Sequence, residues 1–314
     1  MRQATTAEPA IVAAPRLVRW RAQLNVETLT LAAFIVPAIL VVVALQFYPL
    51  AYSAYMAFEH WNLTEAPDPL GWVGLGNFRD VLTDPVFRGA VENSFIIAGS
   101  AVAIELVLGT ALAYLTLAST RTNRAARTIL ILPMVIAPVA AGTIWRFLFN
   151  SETGPINTFL GWLGVHGPQW LANPSWAIFA LILVDVWQWT PFVLLVVAAG
   201  AAAISSDVLE AAAVDGASRW QAFRRVELPL LVPILALVVM FRILEAMLSL
   251  DTVYTLTFGG PGYGTYTLTF YLYTLGLQSF ALGDAAAGSW LFMLFAAAVI
   301  VVAYRLHRRT TAVA

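Results

Sequence analysis

The chain has 314 residues, of which 60% are hydrophobic and 11% charged, with a formal net charge of −1. A soluble domain carries about twice that charge fraction, so these apolar residues call for lipid as solvent, and the missing basic surface excludes a nucleic-acid binder. Cysteine and lysine are both absent, which excludes disulfides, thiolate metal sites, a P-loop lysine and a Schiff base.

In chain order, residues 1–28 read as a polar tail. No small-residue cleavage site closely follows the first apolar stretch, so a retained anchor is expected rather than a signal peptide. Leu17, Trp20 and Leu24 recur at helical spacing among Arg16, Arg19 and Arg21. This fits a short helix lying on the inner leaflet, and equally a charged flank to the first span. Apolar windows of about 20 residues, enough to cross the hydrocarbon core, follow near 29–51, 90–118, 129–149, 175–200, 230–250 and 285–305. They predict an all-α membrane domain over 29–305 with about six transmembrane helices, then a tail over 306–314.

The connecting segments differ in character. Residues 57–88 and 150–173 are rich in turn formers, among them Gly154, Pro155, Gly161, Gly164, Gly167 and Pro168. Residues 251–284 are too polar for a simple span, but the Tyr, Leu and Phe run after Gly264 fits a re-entrant or surface-lying helix. Arginine sets the orientation. Thirteen of the 17 arginines fall in the tails and in the loops holding Arg121 to Arg127 and Arg219 to Arg225, whereas only Arg79 and Arg88 fall on the other side. The positive-inside rule then places both termini in the cytoplasm.

Between the fourth and fifth windows, residues 203–229 carry local helix signals. Ser205, Ser206 or Asp207 can cap a helix start, Glu210 to Val214 is helix-forming, and Gly216 suits a stop. A second helical stretch is expected over Ser218 to Val226, with Pro229 and Pro233 marking the next span. The expected product is two short cytoplasmic helices.

This segment resembles the EAA motif of ABC-importer permeases. The matching residues are Glu210, Ala211, Ala212, Asp215, Gly216, Ala217, Phe223, Leu228 and Pro229. Further matches lie at Gly74-Leu-Gly-Asn-Phe78, Leu132-Pro133, Pro138, Trp145, Gly154-Pro-Ile-Asn157, Trp187 to Phe192, Asp251-Thr-Val-Tyr254 and Gly259-Gly-Pro261, and resemble the sugar-permease branch. Phe258 stands where that branch carries a third glycine before Gly-Gly-Pro.

The resemblance implies the type I importer permease fold in a bacterial inner membrane. It implies a second related permease, two ATP-binding subunits and an extracytoplasmic solute-binding protein as partners. ATP and Mg would be used by the separate ATPase, with no cofactor bound by this chain, and the 203–229 segment would be the coupling loop. The solute would be a sugar, polyol or glycerol phosphate, a non-carbohydrate solute being the alternative.

Ionisable groups inside a bilayer are costly and often functional. Here they are Glu105, Arg146, Asp185, Arg242 and Glu245. Arg146, near the outer end of its span, can snorkel. Glu105 lies mid-span and fits a structural hydrogen bond or a pathway role. Arg242 and Glu245 are three apart, on one helix face within pairing reach, and Asp185 lies at similar depth. These three are expected to form a charge cluster holding helices in register, or to be ligands in a sugar-sized cavity. Trp187, Trp189 and Tyr254 offer aromatic faces near Asp185 and Asp251, and Gly259, Gly260 and Pro261 complete the candidate pathway. An intramembrane enzyme is disfavoured because His60 and His166 lie in outer loops, His307 lies in the tail, and no His-Glu-x-x-His or Gly-x-Ser-x-Gly occurs. An ion-coupled carrier would have no use for an EAA-like docking loop.

Overall fold

A computed structural model describes residues 26–118 and 120–311. The Arg16 to Leu24 segment lies outside the described residues. The chain divides into two units, one ending at Tyr52 and one beginning at Ser53. The first unit holds most of helix α1, Val26–Met56, whose Thr30–Met56 portion is long and apolar enough to cross a membrane.

In the second unit the chain passes through α2 (Gly76–Thr83), α3 (Pro85–Leu115), α4 (Arg121–Val135), α5 (Pro138–Leu148) and α6 (Pro155–Trp162). It continues through α7 (Pro174–Ala202), α8 (Ser206–Val214), α9 (Arg219–Ala222) and α10 (Leu228–Met247), and then α11 (Asp251–Leu256), α12 (Leu268–Tyr273) and α13 (Leu282–Thr311). The described residues hold no strand, only two isolated bridges. Helix α13 continues through Thr311, so the described part of the expected 306–314 tail is helical.

Sequence signals explain the helix starts. Asp84 caps α3, accepting from the Val86 amide at 2.8 Å, with Pro85 in the first turn, where no amide hydrogen is needed. Asn173 caps α7 in the same way, accepting from the Ser175 and Trp176 amides ahead of Pro174. The Asp84 side chain also accepts from the Tyr271 hydroxyl at 2.7 Å, tying α12 to the start of α3. Burial and then that carboxylate push the Tyr271 phenol above its ordinary range.

The second unit is organised around α3 packed on α7, the most extensive helix pair, with α10 against both. One apolar cluster lies where Val193, Leu194 and Val197 of α7 meet Ala113 of α3 and Leu231 and Val238 of α10. Another joins Leu181 and Val184 of α7 to Val253 and Leu256 of α11 and Phe270 of α12. Outside these clusters large apolar side chains are exposed, among them Val107, Ile129, Val135 and Leu294. That is the inverse of a soluble protein and the pattern of a lipid-facing surface.

Among the described residues, five helical stretches meet the length and hydropathy of a membrane span: Thr30–Met56, Pro85–Leu115, Pro174–Ala202, Arg219–Met247 and Leu282–Val301. The span expected over 129–149 is made of two helices, α4 and α5, bent by 97° at a break. Pro138 is the cause. A residue before proline is driven away from helical geometry, and Ile136 and Ala137 have ψ values of 131° and 137°. Proline also supplies no amide hydrogen. The Ile136 carbonyl left at the break accepts instead from Gln188 Nε2 of α7 at 2.8 Å, and Gln188 is buried. Counting the bent pair as one gives six spans.

Conserving loop shape falls to asparagines in the matched motifs. Asn77 donates to the Ala57 and Glu59 carbonyls at 3.0 and 2.8 Å, fixing α2 against the end of α1 that belongs to its own unit. Asn157 donates to Ser151 and Pro168 carbonyls and accepts from Trp170 Nε1 at 2.7 Å, closing the α5–α7 connection. The run after Gly264 forms α12, continued by a five-residue π-helical stretch, Thr274–Gln278, and packs against α3 and α13. Asn93 and Ser94 of α3 hold its start through the Gly264 and Tyr266 carbonyls and the Leu268 amide.

Candidate functional site: an intramembrane charge cluster and an exposed helical turn

Two polar regions stand out against this apolar frame. The first is centred on Arg242 of α10, whose side chain is fully buried. Its Nε and Nη2 donate to the two oxygens of Glu105 on α3 at 2.8 and 2.9 Å, a bidentate pair. Nη2 also donates to Asp185 Oδ2 on α7 at 2.8 Å, and Nη1 pairs with Glu245 three residues along α10. The face of the guanidinium lies 4.8 Å from the Trp189 ring centroid, a cation–π contact. A planar fork with five donors can pair with one carboxylate bidentately while serving two more, which a lysine with three donors could not.

The cluster therefore ties together the three helices of the core. The expected Arg242–Glu245–Asp185 grouping is present, and Glu105 joins it as the bidentate partner. Sequence placed Glu105 mid-span but could not place it against a residue 137 positions away. Glu245 differs from its partners, since its side chain is 32% exposed where Glu105 is fully buried. It forms part of the wall of a cavity of about 150 Å³ lined also by Pro138, Trp189, Ser249, Asp251 and Thr252.

The other pathway candidates separate. Trp187 faces α5, edge-on to Trp145 at 5.5 Å, and borders a different, apolar recess beside α4. Tyr254 sits in an aromatic group with Phe258, Phe270 and Tyr273 at centroid distances of 5.2, 6.5 and 5.5 Å. Gly259, Gly260 and Pro261 form a tight loop in which the Thr265 hydroxyl meets the Gly260 carbonyl at 2.8 Å. Gly259 has φ +78°, and a Cβ there would come within 2.5 Å of Phe270 and Tyr266. Phe258 takes φ +52°, left-handed backbone where the resemblance led to expect glycine, and its ring packs on Tyr254 and Phe270. Pro191 lies inside α7 without ending it. Arg146 is exposed, with Nη1 3.4 Å from the Thr255 carbonyl.

The second region is the turn between α7 and α10. Ser205 caps α8, accepting from the Asp207 amide. At the far end the Gly216 amide donates to Ala213 and the Ala217 amide to Ala212, both at 3.0 Å, the paired bonds of a Schellman stop. Gly216 has φ +78° with open space around it, so the backbone alone demands glycine there. Ser218 and Gln221 then form a reciprocal capping box that starts α9.

The second short helix expected here is not separate. From Arg219 the chain runs through a π-helical stretch, Phe223–Glu227, directly into α10. Pro229 does not break it, because the Leu228 amide donates five residues back to Phe223 and the wider π turn accommodates the proline. Phe223 anchors this entrance on Tyr114 of α3 at 4.8 Å. No residue of α8 is buried, and Glu210, Ala211, Asp215 and Gly216 are all exposed. Val214 is 87% exposed and Trp220 66%. Ala212, Ala217 and Leu228 are half-buried, and Pro229 is exposed.

The sequence pattern of the family described as binding-protein-dependent transport system inner membrane component matches residues 105–311. The chain belongs to that family. A probable ABC transporter permease of Sinorhizobium fredii is 35% identical over 90% of each chain. The trehalose/maltose transport system permease of Thermococcus litoralis is 31% identical, covering 83% of this permease and 86% of its relative. A solved bacterial ABC transporter involved in import of the acidic polysaccharide alginate contains a chain that superposes with a TM-score of 0.80 at 26% identity. That match covers 90% of this permease and 96% of that chain. The permease is thus an all-helical, multi-pass membrane subunit of an ABC importer, with the importer permease fold.

Proposed function

We propose that this permease carries a sugar or related polyol or glycerol-phosphate solute inward across a bacterial inner membrane, by alternating access driven from α8. The carrying observation is the Glu210 to Ala217 turn. It is a self-capped helix with no buried residue that presents Val214 beside Glu210 and Asp215 and leads through α9 into α10. A surface of that kind suits docking by a separate ATP-binding subunit, and α10 carries Arg242, so motion at α8 reaches the core cluster along one continuous helix.

On this reading the matched residues Glu210, Ala211, Ala212, Asp215, Gly216, Ala217, Phe223, Leu228 and Pro229 form the coupling element on the cytoplasmic face. Two ATPase subunits, using ATP and Mg, supply the work. A second related permease completes the pathway, and the family's description as binding-protein-dependent supports an extracytoplasmic receptor. The solute class is supported by relatives named for trehalose and maltose and for alginate import. The cavity beside Trp189, Glu245 and Asp251 is its site in this chain: carboxylates and hydroxyls accept from sugar hydroxyls, and an indole face suits a pyranose ring.

The test is co-expression of the permease with the ATPase and second permease, followed by uptake into proteoliposomes supplied with the solute-binding protein. The expected result is co-purification of the ATPase, ATP-dependent uptake of a radiolabelled sugar, and loss of that uptake in Glu210→Lys with receptor binding intact. Uptake that continues without ATP, or without any associated ATPase, would overturn the reading.

A further inference from the structure

The cavity assigned above to the solute has walls of one sign. Glu245 and Asp251 bring carboxylates to it, Ser249 and Thr252 bring hydroxyls, and Trp189 brings an indole face. Arg242 is close, yet it does not line the cavity. Its guanidinium is fully buried and is divided among Glu105, Asp185 and Glu245, with its face under Trp189. Glu245 therefore shares the guanidinium with two other carboxylates and does not hold it alone. Asp251, at the first turn of α11, is exposed and belongs to no ion pair among the described residues. Arg146 on α5 lies about two turns beyond Pro138 along that helix, at the Thr255 carbonyl rather than at the cavity.

We infer that this cavity admits solutes without negative charge, and that Glu245 and Asp251 turn anions away. The inference rests on the cavity being the solute site and narrows the solute class from that side. A neutral polyol donates its hydroxyl hydrogens to the two carboxylates, which are acceptors only. An anionic sugar or a glycerol phosphate would instead bring its own charge against them with no cation among the lining residues to receive it, and like-charge juxtaposition is strongly disfavoured. Among the relatives, one is named for the neutral disaccharides trehalose and maltose, and one solved transporter for an acidic polysaccharide. The charge of this wall places the present chain with the former. An amino sugar, carrying positive charge, would also be accepted.

The test uses the importer assembled with its partner permease and ATPases in nanodiscs. The solute-binding protein is omitted so that its selectivity does not enter. Matched neutral and anionic probes are titrated calorimetrically: trehalose with trehalose 6-phosphate, glycerol with glycerol 3-phosphate, and glutamine with glutamate. The expected result is that a neutral carbohydrate binds at least about ten-fold more tightly than its anionic partner, and that Asp251→Asn and Glu245→Gln each narrow the gap. Asp251 stands outside the Arg242 cluster, so its variant reports even where Glu245→Gln loosens the helices. Equal or tighter binding of the phosphorylated member by the unsubstituted importer overturns the charge assignment and leaves the sugar reading standing. Preference for glutamine over both glutamate and the carbohydrates overturns the sugar reading while upholding the charge assignment.

Discussion

The Arg242 cluster and the α8 turn are both polar and are built on opposite plans. The cluster draws one side chain each from α3 and α7 and two from α10, joins helices far apart in sequence, and closes all but Glu245 in an apolar interior. The turn draws on neighbours alone: Ser205, the Gly216 and Ala217 amides, and the Ser218–Gln221 box. Charges withdrawn from water need partners, so the cluster's geometry is dictated by its own contents and it fixes the helices that supply them. The turn keeps its shape by local capping and buries no residue of α8 fully, and so leaves much of that helix surface free. One region sets the frame, and the other is available to be pushed.

Three substitutions separate these plans. Arg242→Met is expected to have the largest effect, because it strands the carboxylates of Glu105 and Asp185 without a counter-charge. Breaking one partner of a buried pair costs roughly 3–5 kcal/mol, so the detergent-solubilised permease should lose its monodisperse peak and its cooperative melting. A variant as stable as the parent would show that the cluster does not hold the frame. Gly216→Val should act next and elsewhere. Left-handed backbone at a non-glycine residue costs about 1–2 kcal/mol, confined here to an exposed turn. Melting should be unchanged while ATP-driven uptake falls sharply; a drop in melting temperature matching that of Arg242→Met would erase the distinction. Ser218→Ala should be the mildest, costing about 1 kcal/mol of cap. It should speed amide exchange several-fold at Gln221 and Ala222 while uptake declines only in part. Undiminished protection there would mean that packing, not the capping box, holds α9.

The same contrast governs what could be read from the sequence. Ser205, Gly216 and Ser218 signal their structure locally, and the turn formed as those residues indicate. The Arg242–Glu245 pair was legible because three residues is one helical turn, and Asp185 because its depth follows from counting along a span. Glu105 as the bidentate partner was not legible, since only the packing of α3 against α10 brings it there. Proline was the least transparent residue. Pro138 fell inside an apolar window with no sign of a bend, because hydropathy sums residues and is blind to dihedral angles, yet it bends the chain by 97°. Pro229 looked like a boundary, yet a π turn absorbed it. Phe258 occupies left-handed backbone that only its aromatic neighbours rationalise.

The hydrogen bond from Gln188 to the Ile136 carbonyl has a mechanical consequence. An elbow between two helices ordinarily serves as a hinge, since its open carbonyl can trade partners with water as the angle changes. Here that carbonyl is clamped by a buried amide belonging to a third helix, and straightening the elbow would break the bond and strand the buried Gln188 amide at a cost of about 1–3 kcal/mol. The joint is therefore a bracket rather than a hinge.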